Sequence, residues 1–347
     1  LAHIMQLPNI IVIGRGLKDK VVEVALTASG GEPVLIVTGK TAYNIYGRSI
    51  SEAIGERTDV EVHLVEAEIS QELETIHTIL SKKRFGTVIG IGGGKVIDVS
   101  KASAHEASLR FVSVPTVASH DGIASPMVSA MDSSQPYSRM VNMPFAIVAD
   151  IDVIEKAPHR YLASGCGDLV AKYTAIKDWK LSHKVTGEYF GDYAASLAYM
   201  GAEIIFRNAK KIGKRKQDSI RTVVEALISA GVAMGIAGSS RPCSGSEHLI
   251  SHALGRLMED PPLHGERCGV STIFAAFVHK AAWKRVKSAL SSIGTPSNLS
   301  ELGIDEQTFV KAVLMAPDIR PDRYTILHKL RLTESDVRRL LREAELS

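Results

Sequence analysis

Thr87-Val88-Ile89-Gly90-Ile91-Gly92-Gly93-Gly94-Lys95-Val96-Ile97-Asp98 is the stretch from which the fold can be read. A short apolar, β-branched run passes directly into three glycines, and a helix-forming run follows from Val96 to Ala104. Glycines after a buried strand let a backbone approach a pyrophosphate closely. The next helix then offers its free N–H groups and positive dipole end to the phosphates. The stretch is neither Gly-x-Gly-x-x-Gly nor a Walker loop. Three glycines after a strand also make a plain tight turn, and Asp98 and Lys101 are equally read as helix-surface charges.

Working outward, strand-like runs recur at Val34–Thr38, Val60–Val65, Phe111–Pro115 and Ala146–Asp150, with a helical pattern over Ile69–Lys83. Such alternation predicts a parallel α/β sheet. After about Asp152 the apolar residues recur at three- and four-residue spacing, as in Ser196–Ala209 and Ser219–Ala237. Pro158, Pro242 and the Pro261-Pro262 pair punctuate these helices. The expected organisation is a nucleotide-binding α/β domain over residues 1–152 and an all-α metal- and substrate-binding domain over 153–347. No repeat or low-complexity tract interrupts it.

The composition is ordinary for a globular protein, with 45% hydrophobic and 23% charged residues. At 347 residues, two domains are the better expectation. A net charge of +3, from 41 basic and 38 acidic residues, gives no reason to expect nucleic acid. The basic run Lys210–Lys216 reads as a solvated helix end, or as an anion-binding patch. No apolar run approaches the roughly 20 residues of a membrane span, so no membrane insertion is expected. Leu1–Met5 lacks the features of a signal peptide. Cys166, Cys243 and Cys268 cannot all pair, which suits a reducing, cytoplasmic setting. They read as small buried residues, with metal ligation as the alternative.

Three residues far apart read as one metal site. Asp168 ends Ser164-Gly165-Cys166-Gly167-Asp168, His248 ends Ser244-Gly245-Ser246-Glu247-His248, and His264 opens His264-Gly265-Glu266. One carboxylate and two imidazoles leave coordination positions open for catalysis. Other readings stay open. Asp168 lies near the start of an amphipathic segment reaching about Leu181, where an acidic residue is often only a helix-start charge. His248 and His252 share a helical face and form a possible metal pair of their own. Glu247 is either a partner of His248 or a solvated charge. A second polar loop, Pro115–Pro126, leaves the carboxyl end of a strand, where α/β ligands bind.

Taken together these motifs resemble the iron-containing alcohol dehydrogenase superfamily, and within it the archaeal sn-glycerol-1-phosphate dehydrogenases. Gly92–Lys101 is similar to the Gly-Gly-Gly-x-x-x-Asp-x-x-Lys signature, and Ser119-His120-Asp121-Gly122 to the glycerol-1-phosphate branch. The resemblance implies a dehydroquinate synthase-like fold: a Rossmann-like α/β domain, a helical domain, and a site in the cleft between them. It implies zinc held by Asp168, His248 and His264. NAD(P)H would contact Gly94, Lys95, Val96, Ile97 and Asp98, then Thr116, Val117, Ala118, Ser119 and Ser125. Asp121, Asp168 and His252 would contact substrate, with Asp121 orienting a hydroxyl and His252 anchoring substrate or relaying a proton.

The implied reaction is reduction of dihydroxyacetone phosphate to sn-glycerol 1-phosphate for archaeal membrane phospholipids, by a homo-oligomer. The alternatives are a glycerol dehydrogenase and a dehydroquinate-synthase-like lyase. Lys172, Arg241 and Arg160 are candidates for the substrate phosphate by proximity alone. After Val34–Thr38 come Gly39, Lys40 and Thr41, with no carboxylate to repel a 2′-phosphate. Both NADH and NADPH are therefore expected, with Lys40 or Thr41 near the adenosine ribose.

Overall fold

A computed structural model describes residues 3–128, 138–216 and 218–347. Leu1 and Ala2 of the N-terminal stretch considered above thus lie outside the described residues. The chain divides into two compact units, Leu1–Ala118 with Gly122–Pro158, and Ser119–Asp121 with His159–Ser347.

The first unit contains β1 (Ile10–Gly14), α1 (Lys18–Ser29), β2 (Val34–Thr38), α2 (Lys40–Ala42), α3 (Arg48–Gly55), β3 (Val60–Leu64) and α4 (Ile69–Lys82). It continues with β4 (Thr87–Gly92), α5 (Gly94–Glu106), β5 (Arg110–Pro115), the short antiparallel pair β6 (Met127–Val128) and β7 (Arg139–Met140), β8 (Ala146–Asp150) and α6 (Ile151–Ile154). Six strands form one parallel sheet in the order β1-β8-β5-β4-β2-β3. β1 is a sixth strand beyond the five read from the sequence.

Alternate residues of the central strands enter two cores. Val34, Ile36, Ile89 and Ile91 pack with Val21, Val24, Ile50 and Ile54 of α1 and α3. Leu35, Val37 and Val88 pack with Ile76, Val96, Ile97 and Val99 of α4 and α5. Both faces are therefore covered by helices, and the buried strands read as continuous apolar runs for that reason. The chain runs from β2 outward to β3, then crosses back over β2 to β4 and on to β5. The order reverses between β2 and β4, where Thr38 lies in register with Ile91. Their carboxyl ends flank the topological switch point of the sheet.

The second unit is helical: α7 (His159–Thr186), α8 (Asp192–Gly213), α9 (Ser219–Ala237), α10 (Ser246–Leu257), α11 (His264–Val278), α12 (Trp283–Ile293), α13 (Leu299–Leu302), α14 (Glu306–Ile319), α15 (Ile326–Leu330) and α16 (Glu334–Glu343). Two expectations are corrected here. Asp168 is not near a helix start: α7 begins at His159 and is buried without a break from Leu162 to Ile176. It is a central core helix, so it has no polar stripe to mark its beginning. And α9 is long and apolar enough to cross a membrane by length and composition, contrary to the sequence reading. It is instead largely covered by protein, 67% of its apolar window being buried. The units part at Pro158 rather than at residue 152. α6 follows β8 directly, capped by the Asp150 side chain, and Val153 joins the first unit's core.

Candidate metal centre

The second unit builds its site where α7 and α11 cross. A Cβ on Gly167 would fall 2.9 Å from the Gly265 carbonyl carbon, and one on Gly265 would fall 2.5 Å from the Ser164 carbonyl carbon. Only glycine permits this approach of two backbones. It sets Asp168, which follows Gly167, beside His264, which precedes Gly265. Ser164 Oγ accepts from Gly265 N at 3.2 Å and donates to Ser119 O at 3.1 Å, tying α11 and the 119–121 segment to α7.

α10 delivers His248. The buried Asp178 carboxylate accepts from Ser246 N at 2.7 Å, from Ile326 N at 2.7 Å and from His279 Nε2 at 2.9 Å. These donors hold its pKa low despite burial and fix the first turn of α10. A Cβ at Gly245 would meet Asp178 Oδ2 at 2.7 Å, so glycine is required there too.

Asp168 is fully buried. Its Oδ1 lies 3.3 Å from His248 Nε2 and 3.9 Å from His264 Nε2. Its Oδ2 accepts from Asp121 N at 2.8 Å. Lys172, also fully buried, places Nζ 2.6 Å from Asp168 Oδ1 and 2.6 Å from Asp121 Oδ2. Burial opposes charge on both groups, but each holds the other ionised. Lys172 and the imidazoles keep Asp168 well below the usual carboxylate range, and Asp121 and Asp168 keep Lys172 well above the usual amine range. Two carboxylates against one ammonium leave a net negative charge for a cation.

The imidazoles differ. Burial pushes His252 down to about 3 and His264 well below its ordinary value, so both are neutral. His248 is also opposed by burial but is raised by Cys268, Asp168 and Glu247. Its Nδ1 is 2.8 Å from Glu247 Oε1, and that carboxylate is itself held by Thr174 Oγ1 at 2.7 Å and Gly245 N at 2.6 Å. Glu247 is buried, so it is a partner of His248 and not a solvated charge. His252 and His120 complete the ring of imidazoles, with centroids 6.0 and 6.2 Å from His264.

Of the expected site residues, the structure brings together Asp121, Asp168, His248, His252 and His264, all in this unit. Cys268 joins them: its Sγ is 3.5 Å from His264 Nε2, and the ligand atoms of Asp168, His248, His264 and Cys268 all lie within 4.8 Å of one another. The (i, i+4) spacing from His264 was the available signal for Cys268. The three candidates for the substrate phosphate each pair with carboxylates. Lys172 is committed to two carboxylates, Arg160 pairs with Glu266 at 2.7 and 2.8 Å, and Arg241 pairs with Glu188 at 2.6 Å.

The expected cofactor residues Gly94, Lys95, Val96, Ile97 and Asp98 form the first turns of α5, in the first unit. α5 lies directly on β4, since a Cβ at Gly90 or Gly92 would meet Ser100 Oγ or Val96 Cβ at 2.7 Å. Among the described residues no side chain caps its N-terminus, and Thr116 N donates to Gly92 O at 3.0 Å. Asp98 and Lys101 are buried rather than surface charges. Lys101 Nζ donates to Gly122 O and Met127 O, both at 2.7 Å, and so shapes the loop that carries Ser125.

A family model described as iron-containing alcohol dehydrogenase matches residues 12–158. The chain is 44% identical over 332 residues to a glycerol-1-phosphate dehydrogenase (NAD(P)+) of Thermococcus sibiricus, covering 96% of this chain and 95% of the relative. It is 43% identical over 324 residues to one of Methanosarcina acetivorans, covering 93% and 91%. Its fold resembles the crystal structure of glycerol dehydrogenase from Schizosaccharomyces pombe, with a TM-score of 0.81 at 20% identity over 100% and 94% of the two chains.

Proposed function

The chain belongs to the glycerol-1-phosphate dehydrogenase family, and from that premise we propose that it catalyses NAD(P)H-dependent, zinc-assisted reduction of dihydroxyacetone phosphate to sn-glycerol 1-phosphate. The product would supply the glycerol backbone of archaeal-type membrane phospholipids. The observation that carries the reading is the buried Asp168 oxygen facing His248 Nε2 at 3.3 Å and His264 Nε2 at 3.9 Å.

The donors fit a divalent metal of the zinc type. A carboxylate and two imidazoles suit it, and Glu247 on His248 Nδ1 is the kind of partner that sets a ligating imidazole's tautomer. When bound, zinc supplies positive charge where the ketone oxygen becomes negative, and the nicotinamide supplies the hydride.

The rest falls to the chain's own residues. Asp168, His248 and His264 hold the metal. Lys172 Nζ fixes Asp121 Oδ2 and Asp168 Oδ1 at a set separation, which leaves the other Asp121 oxygen to accept from the substrate's free hydroxyl. His252, neutral at working pH, offers one donor and one acceptor nitrogen and anchors substrate without adding charge beside the metal. Gly94–Asp98, with Thr116–Ser119 and Ser125, contact the cofactor. The α5 N-terminus at the switch point supports that assignment. Lys40, exposed at the end of β2 beside β4, supports use of both NADH and NADPH. The reading extends to a cytoplasmic homo-oligomer that binds neither nucleic acid nor membrane; the near-balanced charge and the covering of α9 support the last two points.

The test is oxidation of NADH and NADPH with dihydroxyacetone phosphate, comparing metal-stripped and zinc-restored protein, with chiral analysis of the product. Zinc-dependent formation of the 1-phosphate is expected. Turnover of glycerol with none of the phosphorylated ketone would refute the proposal.

A further inference from the structure

We propose that Cys268 is a fourth protein ligand of this metal site. Its Sγ would join the ligand atoms of Asp168, His248 and His264 around the ion. The inference rests on the metal reading above and adds to it a donor outside the carboxylate and imidazole set.

Cys268 lies one turn after His264 on the same face of α11. It is fully buried, and its neighbours show which way it faces. Arg267 reaches α10, donating to Ser251 O at 2.8 Å, while Gly269 lies against Gly167 of α7. Cys268 therefore stands between the helices that carry His248 and Asp168. Its Sγ also lies within 4.8 Å of the ligand atoms of both those residues.

Three of the six spacings can be compared with the edges of one tetrahedron, and two of them match to about 0.1 Å. Zinc bonds of about 2.0–2.1 Å to nitrogen, 2.0–2.2 Å to oxygen and 2.3 Å to sulfur imply edges of about 3.4 Å for nitrogen to oxygen and about 3.6 Å for nitrogen to sulfur. The corresponding distances are 3.3 Å for His248 to Asp168, 3.9 Å for His264 to Asp168 and 3.5 Å for His264 to Cys268.

The chemistry balances simply: the thiol loses its proton to solvent as the sulfur takes up the metal, with no change of oxidation state. A thiolate also bears on metal choice. Carboxylate and imidazole alone accept iron or zinc, whereas a soft sulfur donor favours zinc or cobalt.

The test uses the full chain without substrate. X-ray absorption at the zinc edge should show a sulfur shell at about 2.3 Å beside the shorter nitrogen and oxygen shell. Cobalt-substituted wild type should show a near-ultraviolet thiolate-to-cobalt band, which Cys268→Ser should lose while keeping stoichiometric cobalt and its visible bands. Stoichiometric zinc with no sulfur shell would overturn the role of Cys268 and leave the metal reading intact. Failure to bind zinc at all would overturn both. A sulfur shell or cobalt band that survives in Cys268→Ser would assign the sulfur elsewhere and refute the proposal. Should Cys268→Ser fail to fold, the zinc-edge spectrum of wild type decides alone.

Discussion

Replacing Gly265 with Ala should damage the metal centre more than the size of a methyl group suggests. The new Cβ would lie 2.5 Å from the Ser164 carbonyl carbon, whereas real Cβ contacts stay above 3.0 Å. The obstacle is backbone of α7, which cannot rotate aside as a side chain can. The start of α11 must therefore retreat by at least about 0.5 Å, in an interior packed without slack. Metal–ligand distances tolerate only about 0.2 Å, and His264 is the adjacent residue. Overpacking of this kind costs about 3 kcal/mol or more at its severe end, or roughly 6–12 °C of melting temperature for a unit of this size. The assay is a thermal melt together with zinc content and NADPH binding. The melt should fall and zinc should be lost, while NADPH binding, which the proposed function assigns to the first unit, should persist. Gly55→Ala is the control, because nothing lies within reach of a Cβ there. It should be neutral or gain up to about 1 kcal/mol as a better helix residue. A Gly265→Ala protein with full zinc and an unchanged melt would refute the argument.

Three further outcomes are expected. His252→Ala should keep stoichiometric zinc but lose about tenfold or more in kcat/KM, a loss of about 1.4 kcal/mol; zinc loss matching that of His248→Ala would instead make His252 a ligand. Lys40→Ala should weaken NADPH relative to NADH by about 1 kcal/mol, as an exposed charge contact would, and an unchanged ratio of Michaelis constants would remove Lys40 from the cofactor site. Glu72 accepts from His63 Nε2 at 2.5 Å, Glu66 N at 2.7 Å and Ala67 N at 2.6 Å. Burial opposes its charge, but these donors lower its pKa. Its contribution is thus present above the unfolded carboxylate pKa and is lost as pH falls through the folded value. Glu72→Gln should cost about 1–3 kcal/mol in urea melts at neutral pH, and the gap should close in acid; a gap that persists there would show that the charge is not responsible.

The sheet was legible because its central strands are buried on both faces and so carry largely apolar runs. β1 was not, although Ile10-Ile11-Val12-Ile13 has the right composition. It is an edge strand whose one partner among the described residues is β8, 136 residues later at Ile10–Ala146, and nothing local announces that pairing. The clustered residues Asp168, His248 and His264 were legible as residue types near glycines. The reason for the glycines was not, because Gly167 and Gly265 make sense only once α7 and α11 touch. The partners of Lys172 were hidden for a related reason. Sequence shows a lone lysine near a motif, while its role depends on Asp121, 51 positions earlier. Cys268 lay in plain view four residues after His264, but a small residue in an apolar helix carries no outward sign of facing a ligand.

The division of the chain has a consequence for dissection. Ser119–Asp121 belongs to the second unit although its flanking residues belong to the first. A fragment beginning at His159 would carry Asp168, His248, His252, His264 and Cys268. It would nevertheless leave Lys172 buried with one carboxylate where the whole chain provides two, and Asp168 without the Asp121 amide. Removing one partner from a buried ion pair typically costs 3–5 kcal/mol. The helical half is therefore not a module that can be excised or grafted onto another α/β half at a single junction. Any exchange between relatives must move the three-residue insert and the helices together.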